Sequence, residues 1–211
     1  MKKAVIFDLD GTLWDATENV AKGWNECLNE LLPAMANFDG EKIACLCGLT
    51  TKEIGEKLFP GADDAYVDEM MEMLSRAEVD YLNGHGGIIY PDLEDTIKEL
   101  RKDYLIFVVS NCSDGYLDAF LDYHQFRNMI DDYEMYGRTF LKKSDNIRLI
   151  MNRNDVTRAV YVGDTAGDEN AAREAGIPFI HASYGFGQAL SSDYTATSLK
   201  EVIKGVKEVL S

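Results

Sequence analysis

The stretch Lys3-Ala4-Val5-Ile6-Phe7-Asp8-Leu9, continued by Asp10-Gly11-Thr12, decides the fold. A short apolar run of β-branched and aromatic residues that stops at acidic residues and glycine is the pattern of a strand buried on both faces and followed by a loop. The pattern recurs. Leu105-Ile106-Phe107-Val108-Val109 stops at Ser110-Asn111, Ala159-Val160-Tyr161-Val162 at Gly163-Asp164, and Pro178-Phe179-Ile180-His181-Ala182 at Ser183-Tyr184-Gly185. Helical spacing fills the intervals: Leu93, Ile97 and Leu100 share a face within 92–102 behind Pro91, and Ile147, Ile150 and Met151 share another. Leu199, Val202, Ile203, Val206 and Leu210 form a third stripe, which starts at Ser198 with Glu201 placed to complete a capping box. Strands alternating with helices predict an α/β fold, a Rossmann-like parallel sheet with helices on both faces.

Residues 15–85 break this rhythm. They hold few β-branched runs, much Glu, Asp, Leu, Met and Ala, and punctuation at Pro33, Gly48, Pro60-Gly61 and Gly84, which predicts an inserted small bundle of helices. The expected division is a core of residues 1–14 and 86–211 with a helical unit at 15–85. Leu13 to Asp15 serves as the outgoing hinge and Asn83-Gly84-His85-Gly86-Gly87 as the return, since glycine absorbs backbone rotation cheaply. Met70, Met71, Met73 and Leu74 are expected in the core of that unit.

The 211 residues carry 21 Lys+Arg against 37 Asp+Glu, a net charge of −16, and residues 15–85 alone contribute 15 acidic and five basic side chains. That balance opposes nucleic acid and anionic membrane surfaces as partners. No apolar run is long enough to span a bilayer, and the first one ends at Asp8, so a cytoplasmic protein is expected. Cys27, Cys45, Cys47 and Cys112 are too few and too irregular for a disulfide framework and are read as reduced thiols.

In an open parallel sheet ligands bind beyond the carboxyl ends of the strands. The residues at those ends are Asp8, Asp10, Gly11 and Thr12, then Ser110 and Asn111, then Asp164 and Asp168. Singly, an Asp after a strand is a turn or cap residue; together, several carboxylates on one rim repel one another unless a hard cation sits among them. Mg²⁺, which takes oxygen ligands and bridges to phosphate, is the expected ion. The Ser110 hydroxyl, the Asn111 amide and backbone N–H groups after strands, such as that of Leu9, offer donors for phosphate oxygens.

Asp8-Leu9-Asp10-Gly11-Thr12, Ser110-Asn111 behind an apolar strand, a lysine, and Gly163-Asp164-Thr165-Ala166-Gly167-Asp168 together resemble the four-motif signature of the haloacid-dehalogenase-like hydrolases. The resemblance runs the length of the chain and is nearest to the branch of phosphoglycolate phosphatases and β-phosphoglucomutases, whose helical cap residues 15–85 match in position. It implies that Asp8 is the nucleophile, becoming an aspartyl phosphate, and that Asp10 is the general acid and base, its backbone carbonyl also touching Mg²⁺. Thr12 is expected to hold Asp10 by a hydrogen bond, Ser110 and Asn111 to bind phosphate, Asp164 to ligate the metal, and Asp168 to do so through water or from behind. The family's lysine is assigned to Lys143, with Lys142 the alternative. The cap loop entering the site is Gly48-Leu49-Thr50-Thr51-Lys52, from which Thr51 or Lys52 would meet the substrate.

The implied activity is Mg²⁺-dependent hydrolysis of a small phosphorylated metabolite, by a monomer or weak dimer. The competing readings are a phosphosugar mutase, a metal-free dehalogenase and a silent scaffold. The dehalogenases of the family lack the second Asp of the first motif, present here as Asp10, and a silent scaffold would have lost one of the acids. The mutases carry a His in the first cap segment where this chain has Val20. His85, His124 and His181 match no motif.

Overall fold

The computed structural model describes residues 2–211; Met1, the first residue of the expected core segment, lies outside the described residues. The opening run forms β1 (Lys2–Phe7), and its alternation divides the core in two. Val5 and Phe7 enter one apolar cluster while Ala4 and Ile6 enter the other, on the opposite face of the sheet. This is why the strand is apolar at successive positions rather than alternate ones.

After a tight loop comes β2 (Trp14–Asp15), and the helical insertion follows as α1 (Thr17–Leu31), α2 (Gly40–Ala44), α3 (Thr51–Leu58) and α4 (Asp64–His85). α1 lies along α4, with Val20, Ala21, Trp24 and Leu28 of one and Met70, Met71 and Leu74 of the other buried. Each of the last three helices begins at a side chain that accepts a backbone N–H: Asp39, Thr50 and Asp63. The return hinge is shorter than expected. α4 continues through Asn83 and Gly84 to His85, and the break falls at Gly86, whose φ of 61° is one that glycine adopts freely. β3 (Ile88–Ile89) then pairs antiparallel with β2, Trp14 opposite Ile89 and Asp15 opposite Ile88, so both hinges form one short ribbon.

The chain continues as α5 (Leu93–Leu100), β4 (Leu105–Ser110), α6 (Tyr116–Tyr123), β5 (Asp132–Met135), α7 (Tyr136–Thr139), α8 (Lys143–Arg153), β6 (Val156–Gly163), α9 (Ala166–Ala175), β7 (Phe179–Ala182), β8 (Tyr194–Ala196) and α10 (Leu199–Val209). The six-stranded sheet has the order β5-β4-β1-β6-β7-β8, parallel throughout. The strand order reverses at β1, where β4 lies on one side and β6 on the other, and this opens a crevice at the carboxyl end of β1. β5 and β8 were not expected from the sequence: Asp132-Tyr133-Glu134-Met135 and Tyr194-Thr195-Ala196 are too polar and too short to stand out. At α10 the capping box is half formed. Ser198 accepts from Glu201 N, but the Glu201 carboxylate takes Thr197 N and Oγ1 at 2.7 Å instead of Ser198 N.

Candidate active site

Four motif segments converge on the crevice. Asp8 follows β1 directly and its N–H donates to Val162 O at 2.8 Å, which locks the β1 loop to the end of β6. Leu9 closes the loop: its carbonyl accepts from Leu13 N at 2.8 Å and Thr12 N at 3.2 Å, and its side chain is fully buried. Gly11, at φ 76°, has a reason to be glycine beyond that angle, because a Cβ there would collide with the Asp164 carboxylate.

Lys143 enters from the first turn of α8. Its Nζ donates to Asp8 Oδ1 at 2.9 Å and to Asp168 Oδ1 at 2.6 Å, and it lies 5.8 Å from the centre of the Tyr161 ring. Lys142, one residue earlier, is exposed. Burial pulls the Lys143 ammonium toward neutrality, but Asp168 and Asp8 more than offset this and hold it protonated, well above the usual lysine range. Burial pushes the Asp8 carboxyl up, repulsion from Asp168 and Asp164 adds to this, and Lys143 opposes it.

Asp8, Asp164 and Asp168 are all buried, and one carboxylate oxygen from each lies within 4.8 Å of the others. Asp164 Oδ2 accepts from Phe186 N at 2.8 Å and Gly187 N at 3.0 Å, in the loop after β7. Its Oδ1 is buried without a hydrogen-bond partner, and burial followed by Asp168 raises its pKa to about 6. Asp168 differs. Its Oδ2 takes Thr165 N and Oγ1 at 3.0 and 2.7 Å as part of the α9 capping box, and its Oδ1 holds Lys143. With both oxygens committed, Asp168 anchors the lysine from behind. Three buried carboxylates with one ammonium leave uncompensated negative charge, and one buried carboxylate oxygen, Asp164 Oδ1, has no hydrogen-bond partner; oxygen donors of this kind suit a hard divalent cation.

Asp10 turns away from that triad. Its Oδ1 accepts from Trp14 Nε1 at 3.0 Å and Tyr116 OH at 2.8 Å. Burial, then the Asp8 charge, raises its pKa to about 7 against the pull of the two donors. The expected Thr12 contact is replaced by these two. Thr12 Oγ1 is buried without a partner, and the residue's carbonyl instead accepts from Tyr184 OH at 2.9 Å. Sequence reading missed Trp14 and Tyr116. Trp14 carried a signal in its spacing four residues from Asp10, whereas Tyr116 lies more than 100 residues away on α6.

Asp8 and Asp10 line a cavity of about 70 Å³ together with Ser110 and Asn111 from the end of β4. Ser110 is buried there. Asn111 is occupied otherwise than expected: its Nδ2 donates to Gly48 O at 2.8 Å, tying the cap loop to the core, and its Oδ1 is left buried and unpartnered. Thr51 lines the cavity, but Lys52 does not; it is exposed and lines, with Arg76, a larger cleft that shares Thr51, Met71, Ser75 and Ser113 with the cavity. Met71, expected only in the cap's core, and Val20 are among the walls, whereas His85 is exposed and stacks on Tyr81.

A second acid comes from the cap. Glu78 of α4 is buried, accepts from Trp24 Nε1 at 2.8 Å and from Ser113 Oγ at 2.6 Å, and so spans cap and core. Burial raises its pKa to about 7 against those two donors. Nothing in the spacing of the sequence marks it among the other acids of residues 15–85.

The chain is 26% identical over 214 residues to a phosphoglycolate phosphatase of Pseudomonas putida, an alignment covering 94% of this chain and 76% of that one. Its fold matches a haloacid dehalogenase-like family hydrolase from Streptococcus pneumoniae with a TM-score of 0.81 at 20% identity, covering 96% of this chain and 97% of that one. It also matches CbbY from Rhodobacter sphaeroides, solved in complex with phosphate, with a TM-score of 0.80 at 24% identity over 98% and 100% of the two chains. The family model for haloacid dehalogenase-like hydrolases matches residues 5–182, the span from β1 to the end of β7 that holds every acid of the crevice. This chain belongs to the haloacid dehalogenase-like hydrolases.

Proposed function

We propose that the protein is a Mg²⁺-dependent phosphatase of small phosphomonoesters that works through an aspartyl phosphate on Asp8. The observation that carries this reading is that Asp8 and Asp10 open into the same cavity, with Lys143 bound to Asp8 from behind. Phosphatase names among relatives aligned over nearly the whole chain support it.

Asp8, Asp164 and the Asp10 carbonyl would hold Mg²⁺, with Asp168 behind them, and the unpartnered Asp164 Oδ1 is the feature that fits the ion. Bound there, the ion supplies positive charge to the phosphoryl oxygens. The Lys143 ammonium offsets the Asp8 charge, so that a phosphate dianion can approach a carboxylate. Asp8 then bonds to phosphorus as the ester P–O bond breaks, and Asp10 passes a proton to the departing alkoxide. In the second half Asp10 takes a proton from water, the water oxygen bonds to phosphorus, and Asp8 leaves as inorganic phosphate forms. Ser110 and Asn111 donate to the phosphoryl oxygens, Asn111 after giving up the Gly48 carbonyl.

The residues 15–85 act as a cap that closes over this cavity and excludes water. Val20 lines the cavity where a mutase of the family would place a His, so the phosphosugar-mutase reading gains no support there. The test is phosphate release from a panel of small phosphomonoesters with Mg²⁺ or with EDTA, for wild type and Asp8→Asn. Release that requires both Mg²⁺ and Asp8 is expected. Equal release from Asp8→Asn would remove Asp8 as the nucleophile, and equal release in EDTA would remove the metal.

A further inference from the structure

The cavity above Asp8 and Asp10 has a one-sided chemistry. Its cap walls are mainly apolar, with Trp24, Ile43, Leu49, Ile54 and Met71 among them, and the polar side chains the cap contributes are Cys47, Thr51, Ser75 and the buried Glu78. Among the described residues no lysine, arginine or histidine lines it. Lys143 stands behind Asp8 with its two short contacts already made, and Lys52 and Arg76 line a separate, larger cleft that shares Thr51, Met71, Ser75 and Ser113 with this cavity. A substrate group held within this inner cavity therefore meets carboxyl groups, hydroxyls and apolar surface, and reaches the Lys52 and Arg76 side only if it extends into the adjoining cleft.

Resting on the phosphatase reading above, we propose that the leaving group is a compact alcohol without a carboxylate, selected by Glu78, and that 2-phosphoglycolate is a poor substrate. A carboxylate in this space would be stripped of water beside Glu78 with no ammonium or guanidinium within the cavity to pair with it. A hydroxyl or an ammonium in the same place has an acceptor. Each Glu78 oxygen takes one donor, Trp24 Nε1 or Ser113 Oγ, and each keeps a lone pair for a third group. The volume of about 70 Å³ holds a handful of waters, so an alcohol held wholly within this inner cavity has only a few heavy atoms beyond the phosphoryl group. The same site thus differs in its substrate from the phosphoglycolate phosphatases that the chain resembles in sequence.

Two esters isolate the point, because 2-hydroxyethyl phosphate and 2-phosphoglycolate differ only by a hydroxymethyl in place of a carboxylate. With Mg²⁺ at neutral pH, kcat/KM for 2-hydroxyethyl phosphate should exceed that for 2-phosphoglycolate by about tenfold or more. O-phosphoethanolamine should likewise outrank the glycolate ester. Glu78→Gln should narrow the first ratio by about threefold or more, mainly through a lower KM for the carboxylate ester. Equal or better turnover of 2-phosphoglycolate by wild type overturns the proposal, and an unchanged ratio in a folded Glu78→Gln overturns the role of Glu78. p-Nitrophenyl phosphate separates the two levels: Asp8-dependent release from it with 2-phosphoglycolate ranked first sinks only the leaving-group assignment. No release from any ester sinks the phosphatase reading and this one with it.

Discussion

The Tyr116 hydroxyl lies 2.8 Å from Asp10 Oδ1 and donates a hydrogen bond to it, joining the helix after β4 to the loop after β1. Trp14 Nε1 reaches the same oxygen, so the orientation of the proposed proton carrier is set by two rigid aromatic side chains. Tyr116→Phe should leave the fold intact and lower kcat by about ten- to a hundredfold for alkyl phosphates, within the range that a positioned acid supplies. The loss should be smaller for p-nitrophenyl phosphate, whose leaving group needs no proton. Steady-state kinetics on the two ester types checks this, and equal losses would mean that Asp10 is not the acid.

Lys143 is buried and binds two buried carboxylates. Lys143→Ala should destabilise the protein by about 3–5 kcal/mol, the usual result of leaving buried charge without its partner. Urea unfolding in EDTA measures it. Mg²⁺ should restore part of the loss by taking over some of the compensation.

Asp164 Oδ1 is buried without a hydrogen-bond partner while Asp164 Oδ2 is fixed by two backbone N–H groups. Mg²⁺ at a hundred times its Kd should stabilise the wild type by about 2.7 kcal/mol, read as a rise of several degrees in Tm over an EDTA control. Asp164→Asn should abolish most of that rise. In EDTA the variant should melt no lower than wild type, because one member of a repelling cluster has been neutralised.

Glu78 has a folded-state pKa of about 7 against an ordinary value of 4.5, raised by burial. Below pH 4.5 it is protonated in folded and unfolded chains and contributes nothing to stability. Between about 4.5 and 7 the unfolded chain releases the proton that the folded chain keeps, so this residue lowers stability as pH rises and reaches its full effect above 7. Glu78→Gln should therefore gain on wild type by a few kcal/mol between pH 5 and pH 8, on the scale of about 1.4 kcal/mol per unit. Denaturation midpoints across that range test the slope, and a constant difference would show that Glu78 does not titrate there.

Much of the sheet was legible because its inner strands are buried on both faces and so are apolar without interruption, from Ala4 to Phe7 and from Ile106 to Val109. The edge strands were not. β5 carries Asp132 and Glu134, whose carboxylates are spent on Arg153 and Arg138, and nothing in a single sequence separates such a strand from a polar loop. At the site, Asp8, Lys143 and Asp164 fall where motif spacing puts them, whereas the groups that orient them do not follow from spacing. Asp164 is held by the amides of Phe186 and Gly187, and a backbone amide has no side chain to read. Glu78 meets Trp24 and Ser113 across two helices and a loop, a contact that only packing creates.

The ribbon of Trp14–Asp15 and Ile88–Ile89 brings the two ends of the helical insertion side by side. The intervening chain thus closes a loop whose ends the ribbon holds together, and for such a loop the entropic penalty grows only slowly with length. Such an arrangement makes the insertion exchangeable. A bundle of different size or polarity spliced between Asp15 and Ile88 would leave Asp8, Lys143 and Asp164 in register while replacing the cap-side walls of the cavity. Bond cleavage and substrate choice can then evolve as separate parts of one chain.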